Sequence, residues 1–212
     1  MCIAGTTGHS QGIISAVAIV MSSTFESFQE NASKAVKWLF FSGCHAQQVF
    51  PVMSLESTIV QDVVEGGEGV LSPMLSVTGL SLKDLESQIT NTNSHLPEGS
   101  KLFWSLHNGP KADVATGPAC ALFGLVTSLR KLHAAVGLDQ SKMPSLQCHS
   151  VFSVRFLVVS APYHSMYMNK ALEKLFQEDL RGEELWQAED LQMPVFTLRV
   201  VCFNVLFVPF HC

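Results

Sequence analysis

Charge is scarce in this chain. Only 15% of its 212 residues are Asp, Glu, Lys or Arg, against roughly a quarter in an average globular domain. The chain is long enough to bury a core of its own, and 47% of its residues are hydrophobic. This composition suits either a buried-sheet α/β domain or a piece of a larger assembly whose neighbours cover it. Basic surplus is also missing: the formal net charge is −5, so nothing steers the chain toward nucleic acid. No C-x-x-C pair occurs among Cys2, Cys44, Cys120, Cys148, Cys202 and Cys212. Reduced thiols and no metal site are therefore expected, although Cys44-His45 and Cys148-His149 look superficially like ligand pairs. No charged n-region precedes a signal-like stretch, which argues against secretion. A cytoplasmic location is expected. Internal repeats and low-complexity tracts are absent. The longest apolar stretch, Val195 to Cys212, contains Arg199, Asn204 and Pro209, and barely reaches the length of a membrane span; no membrane association is expected.

What is present is patterned. Gly12 to Met21 is small and apolar and suits a buried helix. A second helix begins at Ser23 or Thr24, with Phe28, Ala32, Ala35, Val36, Leu39 and Phe40 at helical spacing and Gly43 as its end. Asp62 to Gly69, "DVVEGGEG", reads as a linker. Beyond it come a strand (Pro73–Leu80), a helix (Leu82–Asn93), two strands joined by a Gly-Pro turn (Lys101–Gly109, Ala112–Gly117), a helix with proline at its start (Pro118–Ala135) and a strand (Val151–Ala161). That order, β-α-β-β-α-β, is the ferredoxin-like arrangement.

Gly8-His9-Ser10-Gln11-Gly12 reads G-x-S-x-G. In a nucleophile elbow a strand turns sharply into a helix, the serine hydroxyl projects, and the next residue's N–H helps to hold an oxyanion. The helix N-terminus favours the developing negative charge. The pentapeptide alone fits equally a plain strand-to-helix turn with a solvated serine. A serine near neutral pH needs a base. His9 would point away from Ser10, whereas His164, in "APYHS" after the last strand, stands on a loop that can reach across a cleft. A surface histidine is the competing reading.

"TGHSQGIISAVAI", "ESFQENASKAVKWLFFSG", "EGVLSPMLSVTGLSLKDLE", "TNSHLPEGSKLFWSLHNGPKA", "GLDQSK" and "FSVRFLVVSAPYHS" resemble the acetyltransferase domain of the fungal fatty acid synthase β subunit. More distantly the chain is similar to malonyl-CoA:acyl carrier protein transacylases. The resemblance implies an α/β fold: an α/β-hydrolase-like large subdomain with an inserted ferredoxin-like small one. It places the large subdomain at residues 1–70, the insert at 71–161 and a return with a divergent apolar tail at 162–212. It implies an acyltransferase of fatty acid biosynthesis. Ser10 matches the nucleophile, His164 the base, Gln11 the oxyanion-hole residue, and Asn108 an asparagine near the active site. No bound cofactor is implied. Acyl-CoA is the substrate, and the partners are the phosphopantetheine thiol of an acyl carrier protein and other synthase domains.

Malonyl-transferring relatives place at the end of the second helix an arginine that pairs with the substrate carboxylate. Ser42 stands there, so an uncharged acyl group such as acetyl is expected, with Ser42 bordering the acyl pocket and neither Arg130 nor Arg155 entering it. The family pattern also has a strand, a helix and a glutamine-bearing oxyanion motif upstream of the elbow. A truncated copy is therefore expected, with Ile13, Ile14 and Val17 exposed, weak activity, or an inactive structural remnant. A serine hydrolase is a further alternative, because Asp139 lies between Ser10 and His164 in the hydrolase order.

Overall fold

The computed structural model describes residues 4–50, 55–134, 150–181 and 186–197. The protein is mixed α/β and divides into two compact units, one comprising residues up to Val49 together with those from Asn169 onward, the other Phe50–Met168. The second unit thus begins ahead of residue 71. Asp139, Cys148, His149 and the tail beyond Thr197 lie outside the described residues.

In the first unit, β1 (Thr6–Gly8) leads directly into α1 (Gly12–Val20), followed by the long α2 (Phe25–Val49). After the second unit the chain returns as α6 (Asn169–Lys174), a π-helical turn (Leu175–Asp179) and β6 (Val195–Thr197). β6 pairs with β1 in parallel, Thr6 opposite Val195 and Gly8 opposite Thr197. Ile14 and Ala18 of α1 pack on Ala35 of α2, with Trp38, Leu39 and Trp186 around them. Ile14 and Val17 are buried, contrary to the expectation that they would be exposed. For Ile14 the cover comes from α2 and Trp186, through Ala35, Trp38 and Leu39. Helix α2 also runs on to Val49; Gly43 does not end it. A side chain at Gly43 would meet nothing, so glycine here is a modest propensity cost inside a helix, about 1 kcal/mol.

The second unit is built on a four-stranded antiparallel sheet in the order β3-β4-β2-β5 (Phe103–Gly109, Ala112–Thr116, Met74–Thr78, Ser153–Phe156). Two helices, α4 (Leu82–Ser94) and α5 (Ala119–Leu132), complete the β-α-β-β-α-β succession. The apolar alternation along these strands sends Leu75, Val77 and Ala115 into one core with Leu85, Leu122 and Leu125 of the helices. Ser81 caps α4, accepting from the Asp84 N–H at 3.2 Å, and so fixes where the helix starts. Asn93 near the other end of α4 bonds Leu102 reciprocally, its Nδ2 donating to the carbonyl and its Oδ1 accepting from the N–H, both at 2.8 Å.

The expected linker at 62–69 is in part a helix, α3 (Ser57–Glu65). Val63 is fully buried in the core of the second unit, a tertiary demand that the surrounding glycines conceal. Arg130 of α5 ties this region down. Its guanidinium is bidentate on Glu68 at 2.7 and 2.8 Å and reaches Asp62 at 2.7 Å. These carboxylates hold the Arg130 proton more tightly than usual, first through the Glu68 hydrogen bonds.

Candidate active site

The turn between β1 and α1 fits the elbow geometry. Ser10 has φ of 52°, a left-handed conformation that costs a side-chain-bearing residue of order 1 kcal/mol. Helix α1 begins at once: the Gly12, Ile13 and Ile14 N–H groups donate to the His9, Ser10 and Gln11 carbonyls at 2.9, 3.1 and 3.1 Å. Gln11 occupies the N-cap position of α1. The reversal is so tight that a Cβ on Gly8 would lie 2.2 Å from the Gly12 carbonyl carbon. Glycine at 8 is therefore obligatory. At Gly12 a Cβ would meet nothing within 4 Å; the second glycine of the motif is permitted rather than required. Ser10 is half-buried, while His9 and Gln11 are exposed.

His164 shares the backbone signature. Among the described residues, three non-glycine residues have positive φ: Ser10, Lys111 at 57° and His164 at 59°. Lys111 belongs to the tight turn joining β3 and β4, where such a conformation is ordinary. His164 has no hairpin to account for it. It is half-buried in the loop after β5, held from both sides. The neighbouring Ser165 hydroxyl is buried and donates to the Pro162 carbonyl at 2.5 Å, and the Tyr163 N–H donates to the Ala161 carbonyl at 2.9 Å. Burial raises the Tyr163 phenol above its ordinary range.

Ser10, Gln11 and Ser42 are carried by the first unit, Asn108 and His164 by the second. Ser42 lies on the fifth turn of α2, three residues before His45, and α2 carries no arginine. Its hydroxyl is buried and has no hydrogen-bond partner among the described residues, although a helical serine can usually bond the carbonyl four residues back. Asn108 is an exposed residue near the end of β3. Arg130 is engaged by Glu68 and Asp62 as described above, and Arg155 sits exposed on the edge strand β5.

Sequence reasoning did not foresee one polar cluster. His45, named above for its neighbour Cys44, is buried on α2; its Nε2 contacts Asp179 of the π-helical turn, and its Nδ1 lies 3.3 Å from Gln48 Oε1. Glu178 joins His45 and Asp179 in a group of potential ligand atoms within 4.8 Å of one another. Lys174 already brings positive charge there, with Nζ 3.8 Å from Glu178 and 3.5 Å from Gln48. The arrangement reads as a hydrogen-bonded polar network tying α2 to the π turn. Its partner is 134 positions away in sequence, so no local signal could have announced it. Cys44 takes no part in it.

Residues 4–152 match the family described as "Starter unit:ACP transacylase in aflatoxin biosynthesis". The chain belongs to this starter-unit transacylase family. Its curated relatives include the fatty acid synthase subunits beta of Saccharomyces cerevisiae, 41% identical over 91% of this chain and 9% of the relative, and of Schizosaccharomyces pombe, 41% identical over 90% of this chain and 9% of the relative. The chain therefore spans about a tenth of the length of these relatives. Solved structures of similar fold include a malonyl CoA-acyl carrier protein transacylase from Coxiella burnetii (TM-score 0.55, 18% identity, 92% of this chain and 46% of that one). Another is an acyl carrier protein S-malonyltransferase from Vibrio cholerae (TM-score 0.55, 18% identity, 92% of this chain and 48% of that one). The starter-unit transacylase match contains Ser10, Gln11, Ser42 and Asn108 and stops short of His164. No described helix is long and apolar enough to cross a membrane.

Proposed function

We propose that this chain is the acyltransferase component of a fatty acid or polyketide synthase system, working through an acyl-serine. The left-handed Ser10 between β1 and α1 carries this reading, because a plain helix-entry serine has no need of a strained backbone. In the proposed reaction, Ser10 Oγ attacks the thioester carbonyl of an acyl-CoA while His164 accepts the hydroxyl proton. The resulting oxyanion sits at the N-terminus of α1 and accepts from the Gln11 N–H. Collapse expels the CoA thiolate, which takes the proton from His164, and leaves an acyl ester on Ser10. The thiol of a carrier protein's phosphopantetheine then attacks that ester. His164 takes the thiol proton and returns it to Ser10 Oγ as the acyl group leaves.

The substrate assignment rests on Ser42. A serine carries no charge to balance a malonyl carboxylate, so the acyl group is uncharged, with acetyl the simplest case. In this reading the first unit is the α/β-hydrolase-like part and the second unit the ferredoxin-like insert. The expected partners are acyl-CoA, an acyl carrier protein and other synthase domains. No resident cofactor is needed. The test supplies the purified chain with a phosphopantetheinylated carrier protein and either acetyl-CoA or malonyl-CoA. Acetyl loading that exceeds malonyl loading supports the reading, and preferential malonyl loading contradicts the Ser42 assignment.

A further inference from the structure

The left-handed backbone of His164 persists only where its surroundings over-determine it. Three hydrogen bonds shape the loop from within. The Tyr163 N–H donates to the Ala161 carbonyl, the Ser165 hydroxyl to the Pro162 carbonyl, and the Met168 N–H to the Ser165 carbonyl. None of these three fixes the loop to the rest of the second unit. Tyr167 reaches further. Its hydroxyl donates to the Lys101 carbonyl at 2.8 Å, with the Gly99 carbonyl at 3.3 Å as a weaker second acceptor. These acceptors stand 66 and 68 positions away in sequence. The chain has two tyrosines, and both stand in this loop within three residues of His164.

The acceptor is itself held. Lys101 Nζ donates to the Asn93 and Leu96 carbonyls at the end of α4, at 2.9 and 2.8 Å. The next residue, Leu102, is buried in the core of the second unit and bonds the Asn93 amide reciprocally. The Tyr167 ring makes edge-on contacts with Phe50 and Phe103, centroids 5.5 and 5.7 Å away. Such packing sets the direction of the ring and therefore of its hydroxyl. Burial pushes the Tyr167 phenol above its ordinary range, so it stays a donor throughout neutral pH. Loop, acceptor and rings all belong to the second unit, Phe50–Met168.

We propose that Tyr167 is a positioning residue for His164: its hydroxyl moors the His164 loop to the Lys101 carbonyl and so holds the strained backbone that aims the imidazole. Tyr167 acts through His164 and not on the reacting atoms. The proposal rests on the reading of His164 as the base of acyl transfer. Tyr167→Phe isolates the effect, because phenylalanine keeps the ring and its contacts and removes only the donor.

The test compares the full chain with Tyr167→Phe, His164→Ala and the double variant. Two rates are read. One is acetyl-serine formation over a range of acetyl-CoA concentrations. The other is modification of His164 by diethyl pyrocarbonate, located by peptide mapping and referred to the exposed His107. Tyr167→Phe should lower the saturating acetylation rate about tenfold and leave the half-saturating concentration unchanged. In the His164→Ala background it should change the rate by no more than about twofold, because the two residues act through one group. His164 should react a few-fold faster with diethyl pyrocarbonate in Tyr167→Phe, with His107 unaltered. An unchanged saturating rate overturns the proposal. So does a loss of the same size with and without His164, which is what a merely structural role gives. If the wild-type chain forms no acetyl-serine, the acyl-transfer reading falls, and the modification rate decides the positioning by itself: an unchanged His164 rate overturns it. If Tyr167→Phe does not fold, Lys101→Met releases the acceptor from α4 while keeping the tyrosine. It should reproduce both effects, and wild-type rates in a folded Lys101→Met chain overturn the proposal.

Discussion

A Cβ built on Gly8 would stand 2.2 Å from the carbonyl carbon of Gly12, so the strand entering the elbow and the helix leaving it nearly touch. Gly8→Ala must open this turn and displace Ser10. A displacement of about 1 Å at a reacting group costs on the order of a hundredfold in rate. Gly8→Ala should lose acyl-serine formation to that extent, and Gly12→Ala, with open space around its Cβ, should keep it within a few-fold. Equal losses for the two variants would show that the glycines do not play these different parts.

Ser42 gives a stability prediction independent of substrate. Its buried hydroxyl lacks a partner among the described residues, so Ser42→Ala should leave stability unchanged or raise it by up to about 1 kcal/mol. Urea unfolding measures this. A clear loss would mean that the hydroxyl is already satisfied. Ser42→Arg should in turn shift loading from acetyl toward malonyl, read as a ratio in the carrier-protein assay.

Much of the second unit was legible from local pattern. Alternating strands, the Leu82–Asn93 helix, the Gly-Pro turn and the proline that opens the next helix announce themselves within a few residues, and the sheet follows their order. The misses share one physical cause, dependence on distant partners. Glycines around Val63 spell a linker, yet the core claims Val63. The strand expected at Val151–Ala161 is ordered as a strand only at Ser153–Phe156, opposite Thr78 to Leu75 of β2. β6 is recognisable only through its parallel pairing with β1, far away in the chain. In the candidate site, the sequence offered the G-x-S-x-G pattern around Ser10 and the loop position of His164, but not the left-handed backbones that both residues adopt. A side chain's type does not report its φ.

The clamp at Arg130 should be felt in stability. Glu68 is 9% exposed at its side chain and Arg130 34%, so the pair is partly screened. Arg130→Ala leaves Glu68 charged and largely buried and should cost about 1–3 kcal/mol in urea unfolding. Arg130→Lys keeps the charge but loses the two-pronged geometry and should fall between. Wild-type stability in Arg130→Ala would mean that the clamp contributes nothing net.

His45→Ala should also destabilise the chain, by about 1–3 kcal/mol, because Asp179 loses its buried donor. His45→Gln should recover part of that by offering an amide donor. Thermal unfolding of the two variants distinguishes this pairing from simple loss of packing, in which both substitutions cost alike.

The central claim is that Ser10 becomes acylated with His164 as its base. Its most direct measurement is the intact mass of the purified chain after brief incubation with acetyl-CoA, followed by peptide mapping. An added acetyl group on the peptide containing Ser10, absent in Ser10→Ala and slowed in His164→Ala by on the order of a hundredfold or more, is the predicted result. An acetyl group located elsewhere, or one that persists in Ser10→Ala, contradicts the account.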